Sequence, residues 1–171
     1  MLTKTLARLA LTVAFACATA AASAQTPSPL GTEGDWTAYS YTDGSSGVCY
    51  MASQPKEAKG NYTERGDAWT LVTHRAPGDG VAVVSIIAGY NYKEGSSVKV
   101  VIGDQSFSLF TQGDTAWTNT AEDDTKLVAA MKQGRDMVVN GVSWRGTETT
   151  DTYSLAGFTR SYETVRTACG L

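Results

Sequence analysis

His74 is the one histidine of this 171-residue chain, so any serine or cysteine nucleophile activated by an imidazole would have to be built around it. No Gly-x-Ser-x-Gly elbow accompanies it. It ends a strand-like segment just before Pro77-Gly78-Asp79-Gly80, where a surface or structural histidine is expected rather than a general base. His-Glu-x-x-His, Walker A, EF-hand and cysteine-rich zinc patterns do not occur either. The expectation is a non-enzymatic protein with no catalytic residue, cofactor or metal.

Carboxylates alone can do chemistry, since glycosidases work with two. Asp123 and Asp124 are adjacent, but they fall in the first turn of a predicted helix, where capping and the helix dipole account for them. Asp35, Asp67 and Asp114 form a different pattern. Each follows a glycine and shortly precedes a tryptophan, in Gly34-Asp35-Trp36, Gly66-Asp67-Ala68-Trp69 and Gly113-Asp114-Thr115-Ala116-Trp117. Rings of Trp36, Trp69 and Trp117 stacking on sugar faces, with these carboxylates bonding hydroxyls, would make a ligand-binding surface. Alternatively, Gly-Asp turns the chain and the tryptophan opens the next strand as core filler. The irregular spacing of the three blocks favours turns. Asn61-Tyr62-Thr63 also matches a glycosylation sequon, which arises easily by chance in a Thr-rich chain.

The N-terminus places this chemistry in a compartment. Lys4 and Arg8 precede an uncharged, largely apolar run over residues 9–20, and Ala22-Ser23-Ala24 supplies the small residues a signal peptidase needs. The run is too short to span a bilayer, which takes about 20 residues as a helix. Residues 1–24 therefore read as a cleaved secretion signal, and Cys17 leaves with it. Loss of Lys4 and Arg8 leaves 12 basic residues against 17 acidic ones, which argues against nucleic acid or anionic lipid as the partner. Cys49 and Cys169 remain. In an oxidising compartment they allow one intramolecular disulfide.

The elements that must position these residues are mostly strands. The mature region is rich in Thr, Gly, Tyr and Val, and short alternating segments recur between Gly, Asp and Asn. Residues 25–33 read as a flexible lead-in, 36–42 and 47–53 as strands, and 54–67 as a long loop. Residues 68–74 form a third strand, and 81–87 an apolar central strand covered on both faces. The clearest signal is a hairpin of 98–102 with 105–110 around Gly103-Asp104, which pairs Val100 with Phe107 and Val98 with Leu109. Thr120 caps a first helix that Gly134 ends. Leu155, Phe158, Tyr162, Val165 and Cys169 make the buried stripe of a second, over about 154–168. Between the helices, a turn at Arg145-Gly146 sets Val142 opposite Thr149, with Asn140-Gly141 as a bulge. Eight or nine strands and two helices result, without βαβ alternation. The expected fold is mainly β, an antiparallel β-sandwich or barrel-like domain with two short helices, the second C-terminal.

From residue 34 onward the chain resembles the invasion-associated locus B family of exported bacterial proteins. The resemblance is carried by Gly34-Asp35-Trp36, Val48-Cys49-Tyr50 with Ser53-Gln54-Pro55-Lys56, and Phe110-Thr111-Gln112-Gly113-Asp114 with Ala116-Trp117. It continues through Leu127-Val128-Ala129-Ala130-Met131, Arg145-Gly146-Thr147 and Thr149-Thr150-Asp151-Thr152-Tyr153-Ser154-Leu155, then Gly157-Phe158. Members commonly carry more cysteines near the first strand, where Tyr39, Ser40 and Tyr41 stand here. The resemblance implies a single domain over residues 34–171 and a periplasmic, secreted or outer-membrane-associated protein, linked in some members to host-cell entry. It implies no catalytic residues. Two readings of function follow: a non-enzymatic envelope or secreted protein acting on an unknown protein or envelope component, or a carbohydrate- or peptidoglycan-binding module using exposed tryptophans. A hydrolase with an unrecognised carboxylate site is a further reading.

Overall fold

The structure, a computed structural model, describes residues 26–78 and 82–171. The expected secretion signal and the Asp79-Gly80 turn lie outside the described residues. Among the described residues, eleven strands and two helices follow in chain order. The strands are β1 (Ser28–Glu33), β2 (Trp36–Asp43), β3 (Ser46–Ser53), β4 (Glu57–Gly60), β5 (Trp69–Ala76) and β6 (Val83–Ile87), then β7 (Ser97–Ile102), β8 (Gln105–Gln112) and β9 (Thr115–Trp117). Helix α1 (Ala121–Gln133) precedes β10 (Asp136–Val142) and β11 (Glu148–Ser154), and α2 (Phe158–Ala168) closes the chain.

All the strand pairs are antiparallel and belong to one sheet, ordered β1-β2-β3-β5-β6-β9-β8-β7-β10-β11-β4. It is barrel-like rather than a sandwich of two sheets. β3 runs through residues 54–56 into β4, which pairs with β11 at the opposite end, and the Lys56 amide donates to Thr152 O at 2.8 Å. The sheet's first and last parts are thereby tied together. Inward-facing residues of nearly every strand contribute to one apolar core.

The helices attach to this core through specific groups. Thr120 Oγ1 accepts from the Asp123 amide at 3.1 Å and caps α1 as its sequence requires. Asp124, read from sequence as a dipole partner, is instead buried, and its carboxylate accepts from the Val84 amide of β6 at 2.9 Å. Burial raises its pKa above the ordinary carboxylate value. α2 lies against β1, β2, β3 and β5. Phe158 meets the buried Trp36 ring edge-on at 5.0 Å, and Val165 and Cys169 continue the buried stripe. Cys169 bonds to Cys49 of β3 with a Cα–Cα distance of 5.9 Å.

The 98–110 hairpin has the expected register, with Val100 opposite Phe107 and Val98 opposite Leu109. Several other expectations are corrected. Part of the lead-in is an exposed edge strand, β1, bulged between Pro29 and Gly31. An edge is where a strand tolerates proline, which has no amide to donate. The 54–67 loop contains β4, too short and polar to show a pattern of its own. β6 is central, yet Val83 on its outer face is 45% exposed. α2 starts at Phe158, not Ser154, because the Thr-rich run pairs with β10 through Ser154.

The β10–β11 register differs by one residue. Val142 faces Glu148 and Gly141 faces Thr149, because the turn holds three residues, 144–146. Gly146 takes the left-handed position (φ 84°) that closes such a loop. Gly141 sits in regular pairing rather than a bulge. A Cβ there would approach the Tyr92 ring to 2.8 Å and the Tyr90 hydroxyl to 2.9 Å, so glycine makes room for those rings.

The disulfide closes a separation of 120 residues. Replacing both Cys49 and Cys169 by Ser should lower unfolding stability by about 2–5 kcal/mol, read as a reduced urea midpoint. An unchanged midpoint would mean that the bond contributes nothing to the fold.

Candidate functional site

β11 carries the sequence Glu148-Thr149-Thr150-Asp151-Thr152-Tyr153-Ser154, and its alternation turns Thr149, Asp151 and Tyr153 inward, all buried. A carboxylate facing inward must find a cation or hydrogen-bond donors. Asp151 finds Arg65: the guanidinium Nη1 and Nη2 donate to Oδ1 and Oδ2, each at 2.6 Å. This is the two-pronged geometry that suits arginine to carboxylate. The third donor, Nε, reaches Ala88 O at 2.6 Å. Burial by itself would push the guanidinium pKa down, but the hydrogen bonds and charge of Asp151 outweigh it and hold Arg65 charged.

Aromatic rings enclose the pair. The Arg65 guanidinium lies 5.0 Å from the Tyr90 ring centroid and 5.6 Å from that of Tyr62. Tyr90 shares a hydrogen bond with Thr149 Oγ1, and its neighbour Tyr92 meets it edge-on. Burial raises both phenol pKa values, so the two tyrosines stay neutral across the physiological range. The Gly66 amide donates to Gly89 O at 2.9 Å. Residues 61–68 are thus strapped across the sheet at several points.

Between this strap and the 143–147 turn lies an open cleft of about 1220 Å³. Trp144 stands on its wall and is 62% exposed. The exposure is not due to a loose loop. The Trp144 amide donates to Asn91 O at 2.8 Å, and the Ser143 amide to Thr147 O at 2.9 Å. The Arg145 guanidinium lies 4.8 Å from the Trp144 ring centroid. Tyr62, Asn61, Gln54 and Thr147 supply further rings, amides and hydroxyls along the walls. A floor held by the ion pair, with aromatic, neutral polar and a few charged groups on the walls, can bind and orient a ligand.

The structure does not gather the six residues singled out by the Gly-Asp…Trp pattern into one site. Trp36 is in the core, its indole N–H donating to Ser154 O at 3.0 Å. Trp69 and Trp117 are half-buried on the outer face of the sheet, opposite in direction to the buried Thr70 and Ala116. Trp117 packs beside Phe110 there. Asp35 pairs with Lys56 at 2.8 Å, and hydrogen bonding to Lys56 and Ser154 lowers its pKa. Asp114 accepts from its neighbour Thr115. Of the six, Asp67 alone lines the large cleft, while Asp35 and Trp69 border a smaller hollow of about 420 Å³.

Arg65, Asp151 and Trp144 are not among the site residues that the sequence points to. Trp144 has no Gly-Asp before it, and its place beside Arg145-Gly146 was the one available signal of exposure. Arg65 sits in a polar loop, 86 positions from its partner.

His74 is completely buried on β5, its ring 5.3 Å from that of Tyr162. Burial, with Arg166 and Lys132 nearby, lowers its pKa below the ordinary 6.5. Among the described residues no group of three or more His, Cys, Asp or Glu is placed to hold a metal ion.

Two measurements probe these buried charges. Arg65→Met, which strands the Asp151 carboxylate, should cost about 3–5 kcal/mol in a denaturant titration, and adding Asp151→Leu should recover part of it. An Arg65→Met variant as stable as the parent would show that the pair holds nothing. For His74, the unfolded state takes up the proton first on acidification, so its contribution is complete above 6.5 and shrinks as pH falls below that value. Unfolding stability should therefore drop between pH 7 and 5, and His74→Gln should flatten that slope. An equal slope in the variant would contradict the assignment.

The fold and cleft can be compared with known proteins. A family model described as invasion associated locus B protein matches residues 36–166. A search of curated proteins found no match. Among solved structures, the crystal structure of invasion associated protein B from Bartonella henselae superposes with a TM-score of 0.60 at 16% identity, covering 86% of this chain and 100% of that one. At that identity the likeness shows a shared fold. The family match spans most of the sequence and carries the assignment: this chain belongs to the invasion associated locus B family.

Proposed function

We propose that this protein is exported and works by binding rather than catalysis, contacting a protein or surface component outside the cytoplasm through the cleft beside β11. The observation that carries the reading is Trp144. A large aromatic side chain is held out to solvent by a backbone-bonded turn, on the wall of a cleft whose floor is fixed by a buried ion pair. Binding energy concentrates on exposed Trp, Tyr and Arg side chains held rigidly at a surface.

Export is supported by the family and by the Cys49–Cys169 disulfide, a bond favoured in oxidising compartments. No described helix is long and apolar enough to cross a membrane, which is compatible with a periplasmic or secreted location. The non-enzymatic reading draws on the position of the single histidine, which the core encloses. The Bartonella relative is an invasion associated protein by name. An association with invasion is what that name offers, and contact with an envelope or host surface is our own reading.

Site-specific photo-crosslinking tests the reading. A benzophenone side chain in place of Trp144 should give a discrete adduct in envelope or host-surface preparations. The same group at Lys99, exposed on β7, should not. Identical labelling from both positions, or none from Trp144, would count against the cleft as the contact surface.

A further inference from the structure

The chemistry of the cleft goes further than its position. We infer that its ligand is an uncharged glycan chain, a proposal that rests on the cleft being the binding surface. Its volume of about 1220 Å³ exceeds the roughly 300–1,000 Å³ typical of pockets for single small molecules. The occupant is therefore an oligomer or a segment of polymer.

The walls then narrow the class. An amphipathic helix needs a dry apolar groove, whereas these walls present the side-chain amides of Gln54 and Asn61 and the hydroxyls of Thr63 and Thr147. Such groups both donate and accept, which matches sugar hydroxyls that do the same. Trp144 and Tyr62 add flat aromatic faces, against which the C–H faces of pyranose rings can stack. Rings and neutral hydrogen-bonding groups thus line one space, the two kinds of contact that a chain of sugar units offers.

Charge excludes the acidic polymers. Arg65 is already neutralised by Asp151. Of the other charged residues on the walls, Glu64 and Asp67 are acidic and Arg145 is basic, so no positive field is left to attract phosphate, sulfate or uronate groups. Trp144 is the anchor. Its exposure lets it be removed without disturbing the core, whereas the half-buried Trp117 on the outer sheet face serves as the matched control.

The test is a titration of the mature protein, followed by heat of binding, with chitohexaose, cellohexaose, a heparin hexasaccharide and an extended octapeptide. At least one of the two neutral hexasaccharides should bind saturably. Trp144→Ala should weaken that binding at least tenfold, while Trp117→Ala should leave it unchanged, both variants being folded by circular dichroism at the temperature of the titration. Saturation by the heparin fragment or the peptide with no response to either neutral sugar would overturn the proposal, as would neutral-sugar binding that survives Trp144→Ala. The crosslinking result separates the two levels. A Trp144-specific protein adduct without sugar binding removes the glycan and keeps the cleft, and failure of both removes the cleft as well.

Discussion

A carboxylate buried on an inward position of a strand is the constraint from which the cleft follows. An unpaired carboxylate inside the sheet would be costly, and the fold supplies Asp151 with a partner from a distant segment, Arg65. Taking both charges out of water is costly, and the two 2.6 Å hydrogen bonds with the third to Ala88 O offset that cost. Geometry this demanding admits few positions for residues 61–68. Once Arg65 is fixed, Tyr62 and Tyr90 pack against its guanidinium and Gly66 bonds to Gly89. A loop that would otherwise be mobile becomes one wall of a cleft.

Stability is provided in another part of the same interior. Trp36, Phe158, Val165 and the Cys49–Cys169 bond hold α2 against β2 and β3. This core is mostly apolar, with His74 and Ser161 enclosed in it, the Ser161 hydroxyl donating to Trp36 O at 3.1 Å. The polar interior around Arg65 and the apolar interior beneath α2 share one sheet but make different demands. The first positions the 61–68 segment at the cost of buried charge, and the second contributes most of the favourable burial. Substitutions in the rim, such as those of Trp144, are therefore separable from folding.

Much of the scaffold was legible in the sequence because it depends on local chemistry. The Gly103-Asp104 turn and alternation determine the β7–β8 register, Thr120 with Asp123 determines the start of α1, and the 3,4 spacing predicts that Cys169 faces inward. The β10–β11 register differs by one residue from the one that a turn of Arg145-Gly146 alone implies, because Trp144 belongs to the turn too. That single residue decides whether the tryptophan ends a strand or stands in solvent. The cleft was harder still to foresee. Arg65 and Asp151 are 86 positions apart, and nothing in a polar loop announces that its arginine is buried. The Gly-Asp…Trp blocks were conspicuous for a different reason: they are turns that lead into strands. The Thr-Thr-Asp-Thr-Tyr stretch that carried the family resemblance now has a physical reading, since its alternate residues line the polar interior.

Hydrogen exchange at the Gly66 amide tests the central claim most directly, that the Arg65–Asp151 pair fixes the cleft wall. In the parent protein this amide, bonded to Gly89 O, should be protected together with the adjoining strap. In Arg65→Met the account predicts that protection is lost over residues 61–68 while the β7–β8 hairpin keeps its own. Unchanged protection of Gly66 in that variant would contradict it.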